Sequence, residues 1–244
     1  MAKQFALKGE EFEIRNISPD MYEETEELFM HVFPNYENMC LATNMKESPE
    51  ALEELRQLLH AVLPDGISFA VIHKPTGKIV AICCNKIINH KKNISLDEVF
   101  ESFKTPQMFT IDAYLVRLEN DFDVFKQWQV ESAFEIEFLA VHPDWTKRGL
   151  AFNVCSYALD FAVAMSKGEL TPEQMAQMPD HIRKERPDVS MGVFTSLYTQ
   201  RMAAKLNFIP VNVVPMTEFS FEGKTFAEVV APEHVNSQHA AKKL

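Results

Sequence analysis

Two glutamates one residue apart, Glu135 and Glu137, stand in the run FEIEFLAVHP, and Lys147, Arg148 and Gly149 follow it shortly afterwards. The run alternates as a strand. Phe134, Ile136, Phe138 and Ala140 are expected on one face, with Glu135, Glu137, Leu139 and Val141 on the other. Neighbouring carboxylates raise one another's proton affinity, and a carboxylate so perturbed can serve as a general base. A solvated strand face would show the same alternation.

The basic turn WTKRGLA leads into an amphipathic segment, FNVCSYALDFAVAM. The first amides of a helix lack internal partners, and its dipole favours negative charge there. Gly149 is one of seven glycines in 244 residues, so its place at this joint is informative. It allows close backbone approach to a pyrophosphate. The spacing also fits a charged turn on an ordinary surface helix.

Elements must hold these groups in place. Phe12 to Ile17 alternates as a strand, and Ser18-Pro19-Asp20 opens a helix running to about Val32. A second helix is expected over Pro49 to Val62, with Leu52, Leu55, Leu58 and Leu59 in phase. SFAVIH and IVAICCNKII, joined by KPTGK, read as a hairpin. Residues 90–130 look like an insertion with helical pieces at SLDEVFESF and around Tyr114 to Trp128. The strand and helix at the joint follow, and 168–187 is a polar excursion. Val189 to Thr195 and Phe208 to Val214 are expected strands flanking a helix at Ser196 to Leu206. Phe219 to Val230 reads as a closing hairpin strand that turns near Glu222-Gly223. The order is β-α-α-β-β-(insert)-β-α-β-α-β-β, an α/β arrangement in one domain over 1–244.

Composition narrows the function. A 46% hydrophobic content with 19 Phe indicates a globular chain. The formal charge of −11 argues against nucleic acid and suits a cationic small molecule. Cys40, Cys83, Cys84 and Cys155 form no CxxC pair, and the eight histidines form no metal-ligand cluster, so no metal is expected. There is no signal-peptide core and no apolar run of membrane-spanning length. The tail AKKL has Lys242 where a peroxisomal address needs a small residue. No membrane association and a cytoplasmic location are expected.

The element order and the joint together resemble the GNAT superfamily of N-acetyltransferases. The strand ends Leu139-Ala140-Val141, as in that family, and Thr146-Lys147-Arg148-Gly149-Leu150-Ala151 matches its Arg/Gln-x-x-Gly-x-Gly/Ala turn except at Thr146. Lys147 takes a place often filled by glycine. TSLYTQRMAAKLNF, Thr195 to Phe208, is similar to the family's second cofactor-side helix, with Asn207 in place of its glycine. The segment HVFPNYENMCLA resembles arylalkylamine N-acetyltransferases of the insect type and places Glu37 at their glutamate.

The resemblance implies a mixed, mostly antiparallel sheet flanked by helices, and acetyl transfer from acetyl-CoA to a primary amine, most simply a small arylalkylamine. It implies that Leu139, Ala140 and Val141 pair with the pantetheine arm and that Thr146 to Ala151 (Thr146, Lys147, Arg148, Gly149, Leu150, Ala151) hold the pyrophosphate. Glu37, Glu135 and Glu137 are the implied proton acceptors. Ala203 stands where relatives carry an acidic tyrosine. Helical spacing sets Thr195, Thr199 and Ala203 on one stripe, which makes Thr195 and Thr199 the candidate relay to the leaving thiolate. Two alternatives stay open: a protein lysine or N-terminal acetyltransferase that uses 90–130 and 168–187 to contact a polypeptide, and a non-catalytic CoA-binding protein.

Overall fold

The computed structural model describes residues 2–7 and 9–244. The strand bearing the paired glutamates is β5 (Ala133–Val141), and the helix after the glycine is α7 (Leu150–Lys167). Six further strands precede and follow β5 in the main sheet: β1 (Lys3–Leu7), β2 (Glu10–Asn16), β3 (Phe69–His73), β4 (Lys78–Ile88), β6 (Val189–Phe194) and β7 (Ile209–Pro215). The eighth, β10 (Asn236–Lys243), is the last element of the chain. Their spatial order is β1-β2-β3-β4-β5-β6-β10-β7. Every neighbouring pair is antiparallel except β5 and β6.

Helices cover both faces. On one face α1 (Tyr22–Tyr36), α3 (Pro49–Val62) and α5 (Pro106–Asn120) pack Phe29, Leu59 and Tyr114 against Phe138 and Ala140 of the sheet. On the other, α7 and α10 (Leu197–Lys205) pack Val154, Cys155, Ala158 and Met202 against Phe69, Phe134 and Ile136. This double cover explains why β3 and β4 are almost continuously apolar and buried. No helix among the described residues is long and apolar enough to cross a membrane.

Three expectations change. β1 was not anticipated; it pairs with β2 at the edge of the sheet. The expected closing strand over 219–230 is instead a two-residue ribbon, β8 (Ser220–Phe221) with β9 (Lys224–Thr225), followed by α11 (Phe226–Val229). Its turn does fall at Glu222-Gly223, both with positive φ. The closing strand is β10, whose NSQHAAKK has little apolar alternation. Two strand neighbours, not composition, bury its Ser237, His239, Ala240 and Ala241.

The insertion holds α4 (Asp97–Ser102), α5 and α6 (Val124–Trp128). α5 starts earlier than expected because Thr105 caps it and Pro106 fits its first turn. The polar excursion contains two single turns, α8 (Pro172–Met175) and α9 (Asp180–Arg183).

One irregularity positions the chemistry. In the β4–β5 ladder Cys84 faces Phe138 and Asn85 faces Ile136, which leaves Glu137 without a partner in β4. This is a β-bulge, a device that redirects side chains. The expected faces of β5 therefore switch partway along it. Phe134, Ile136, Leu139 and Val141 lie with the α7-side core, whereas Phe138 and Ala140 lie with the α1-side core. Leu139 and Val141 do not share the face of Glu135.

Candidate active site

β5 and β6 run parallel for only three paired positions, from Ala133 with Val189 to Glu135 with Met191. Beyond these the strands part, and β5 continues to Val141 bonded to β4 alone among the described residues. The amide of His142 donates to the Val80 carbonyl of β4 at 2.9 Å. Antiparallel partners alternate between bonded and non-bonded pairs. Ala140 is thus turned toward β4, and Leu139 and Val141 present their N–H and C=O groups to the gap. Of the three expected backbone contacts, Ala140 is excluded by this alternation.

Past β5, the turn has two left-handed residues separated by one, Lys147 at φ 58° and Gly149 at φ 84°. A left-handed Lys147 accounts for glycine being common there in the resembled family. Gly149 caps α7 without a side-chain bond, so the opening amides stay available to an anion. Leu150 is buried and contributes only its backbone, while Ala151 is partly buried. The hydroxyl of Thr146 donates to the Pro143 carbonyl at 3.0 Å. The Arg148 side chain does not point freely from the turn. It donates to Glu10 of β2 at 2.6 Å and lies over the Trp145 ring at 4.6 Å. In this arrangement it braces the turn against β2, and Lys147 is the exposed cation of the turn.

A cavity of about 1180 Å³ opens where the strands part. Glu135, Glu137 and Leu139 line it from β5, Thr195 and Thr199 from the end of β6 and the start of α10, and Glu37 from the α1–α2 corner. The bulge brings the Glu135 and Glu137 carboxyls within hydrogen-bonding reach of each other. Burial raises both, and the charge of Glu137 raises Glu135 further. Glu137 is pushed up to about 7.

Glu119, on α5, completes this acidic group and was missed in the sequence. Burial, and then the charge of Glu137, push it up to about 8. A carboxyl with a raised folded pKa binds more protons folded than unfolded, so stability falls as pH rises through that window. For Glu119 the window runs from its ordinary 4.5 to about 8. Glu119→Gln should match the wild type near pH 4. Near pH 8 it should be more stable by at least about 1.4 kcal/mol, the equivalent of one tenfold change in proton affinity. Urea unfolding at the two pH values measures this.

Glu37 and Thr195 meet across 158 positions of sequence: the Thr195 hydroxyl donates to Glu37 at 2.9 Å. The other carboxylate oxygen of Glu37 accepts the amides of Met39 and Cys40 at 2.8 and 2.9 Å, capping α2 (Asn38–Ala42). The Asn38 side-chain amide donates to the Thr195 carbonyl at 2.9 Å. The expected stripe from Thr195 through Thr199 to Ala203 is broken, because α10 begins at Leu197 and Ala203 is buried in the core. Ser196 is the cap, and Thr199 donates its hydroxyl to the Ser196 carbonyl at 3.0 Å. His234, also missed, lines the cavity beside them. Its Nδ1 accepts the Leu197 amide at 3.1 Å, which puts the proton of the neutral ring on Nε2. Tyr198 is exposed and donates to Glu233 at 3.0 Å.

No protein-family profile and no curated protein matches the sequence. Solved structures do match the fold. A mosquito arylalkylamine N-acetyltransferase like 5b superposes with a TM-score of 0.74 at 16% identity, covering 96% of this chain and 100% of that one. Drosophila melanogaster polyamine N-acetyltransferase gives 0.71 at 17%, with 96% and 100% covered. Arylalkylamine N-acetyltransferase 2 of Aedes aegypti gives 0.69 at 20%, with 95% and 98% covered. The chain thus has the mixed α/β fold of the GNAT N-acetyltransferases.

Proposed function

We propose that this chain is an N-acetyltransferase, acting as one domain in the cytoplasm, that moves the acetyl group of acetyl-CoA onto a primary amine, in the simplest case a small arylalkylamine. The observation that carries this reading is the parting of β5 and β6 beside an acidic cavity. It leaves the backbone of Leu139 and Val141 open to an extended ligand arm. The solved neighbours support it, being N-acetyltransferases of arylalkylamines and polyamines by name.

The residues present fit acetyl-CoA. Leu139 and Val141 hold the pantetheine arm by their gap-facing backbone groups, and the amides from Lys147 to Ala151, with the Lys147 ammonium, hold the pyrophosphate. Bound there, the thioester supplies an activated acyl carbon. The Val141 amide faces the gap, where it stabilises negative charge developing on the acyl oxygen.

The amine arrives as an ammonium and must lose a proton before its lone pair can attack. Glu137 takes that proton, with Glu135 beside it on the cavity wall. A C–N bond then forms at the acyl carbon, the nitrogen gives up its second proton as the C–S bond breaks, and the sulfur takes up one proton and leaves as the thiol. Glu37 holds Thr195 in place. Thr195, Thr199 and the Nε2–H of His234 are the hydroxyl and N–H groups on the cavity wall that can pass a proton to the sulfur.

The test is calorimetric binding of acetyl-CoA followed by CoA-thiol release with a panel of amines and peptides. Micromolar binding with turnover of small amines is the expected result. Binding without turnover would indicate a CoA-binding protein, turnover of peptides alone a protein acetyltransferase, and no binding would end the proposal.

A further inference from the structure

A lysine is buried one strand behind the acidic wall. Lys86 of β4 is 8% exposed, and its ammonium donates to the Asp65 carboxylate at 2.6 Å. Asp65, 3% exposed, ends a short turn, Leu63–Asp65, that follows α3, and it also accepts the Ile87 amide at 3.2 Å. Lysine and aspartate are seldom fully buried unless paired. Such a pair gives little stability beyond what well-packed apolar side chains would give, because desolvation offsets the attraction. Its place in the sheet points to another use.

In the β4–β5 ladder Lys86 stands directly opposite Glu135. Directly paired residues of an antiparallel ladder project to the same face, about 4.5–5.5 Å apart at Cβ, and diagonal neighbours are about 7–8 Å apart. The bulge leaves Glu137 beside that diagonal, with no partner in β4. Lys86 thus backs the wall that Glu135 and Glu137 present to the cavity.

The titratable groups around Glu137 are Glu135 on its own strand, Lys86 and Cys84 on β4, Asp65, Glu119 of α5 and His239 of β10. Glu37 stands across the cavity, bonded to Thr195. Burial keeps Cys84 a neutral thiol and holds His239 down to about 4, so neither is charged near pH 7. Lys86 is therefore the cation of this set. Burial is the main cause of the raised proton affinity of Glu137; the Lys86 charge opposes it and, by less, the Asp65 charge adds to it.

Resting on the acetyltransferase reading with Glu137 as proton acceptor, we infer that Lys86 is a positioning residue of the reaction, its ammonium shared between Asp65 and the Glu135–Glu137 pair. Asp65 sets how much of that charge the two glutamates feel. The fixed cation keeps the carboxylate form of Glu137 available near neutral pH, when the amine's proton has to be taken up. Lys86 acts through Glu137 alone and touches neither the amine nor the thioester.

The experiment reads Glu137 in two ways. One is the pH limb of kcat/KM in thiol release; the other is carboxyl carbon NMR titration of the glutamates in the ligand-free protein, with Glu137→Gln and Glu119→Gln identifying the two signals. Lys86→Met should raise the proton affinity of Glu137 at least about threefold, and Asp65→Asn should lower it by about as much, since each removes one charge of opposite sign. Lys86→Arg keeps the charge and should stay within about twofold of the wild type. A merely structural role would move the two single variants in the same direction or move neither, and either result overturns the inference. Retained acetyl-CoA binding shows that the variants fold. Should a single variant fail to fold, Lys86→Met/Asp65→Asn decides, because it leaves no buried charge unpaired. Its Glu137 midpoint should lie above that of the wild type, and a midpoint at or below it overturns the inference. Turnover whose limb ignores both variants removes Lys86 and leaves acetyl transfer intact. Opposite NMR shifts with no thiol release leave the charge coupling standing and remove the acetyltransferase reading.

Discussion

Gly149→Glu should bind acetyl-CoA at least 100-fold more weakly than the wild type while remaining folded. Gly149 has φ 84°, and a Cβ added there would meet only the Asn153 side-chain amide, at 3.8 Å. Space is therefore available, and the backbone is the main source of strain. A left-handed conformation costs a non-glycine residue about 1–2 kcal/mol. For a chain of this size that lowers Tm by roughly 2–8 °C. The larger effect is electrostatic, because a carboxylate at the mouth of α7 opposes the anion that its opening amides are placed to bind. Gly149→Ala separates the two contributions: it has the same backbone strain without the charge. Calorimetry should show Gly149→Ala weakened slightly and Gly149→Glu severely. Equal affinities for the two variants would place the pyrophosphate elsewhere.

The second large effect is expected at the bulge. Glu137→Gln should lower kcat/KM about 100-fold near neutral pH, at the lower end of what a positioned base contributes. In the wild type, activity should rise with pH through a limb near 7, where Glu137 loses its proton. The limb belongs to the coupled acidic group, with Glu135 and Glu119 on the same wall. Its sign is fixed: below the limb Glu137 is protonated and cannot accept from an ammonium. Glu137→Gln should abolish the limb and leave a slow rise set by the amine itself. Glu135→Gln should cost less, since it leaves the Glu137 carboxylate in place as the proton acceptor. A pH–rate profile with the limb intact in Glu137→Gln would remove this residue as the base.

Much of the framework was legible because local signals agreed with one another. The alternation of β5, the single glycine before α7 and the apolar spacing of Pro49–Val62 each met a helix or strand of the expected type. Asn207, which stands where the resembled family has a glycine, has φ 63°. The meeting of Glu37 with Thr195 was expected only in the sense that resemblance put both at one site.

What escaped depends on distant partners. The Arg148 ion pair was not readable because nothing near it in sequence shows Glu10, 138 positions away. The two glutamates of β5 were expected to meet by plain alternation; they meet beside a bulge that turns Leu139 and Val141 to the opposite face. Glu119 was hidden in an insertion with no motif, although its spacing from Asp112 and Leu115 was a readable helical face. His234 and His239 fall in a polar tail whose burial arises from distant partners, the start of α10 for His234 and the flanking strands for His239.

The placement of β10 between β6 and β7 has a temporal consequence. A chain emerging from the ribosome exposes its N-terminal part first. The ladder carrying Met191 and Val193 stays open on one flank until residues 236–243 are released, and His239 arrives with them. Order on that flank therefore waits for 236–243, and a nascent chain halted before them would hold most of the scaffold while this wall of the cavity stays open.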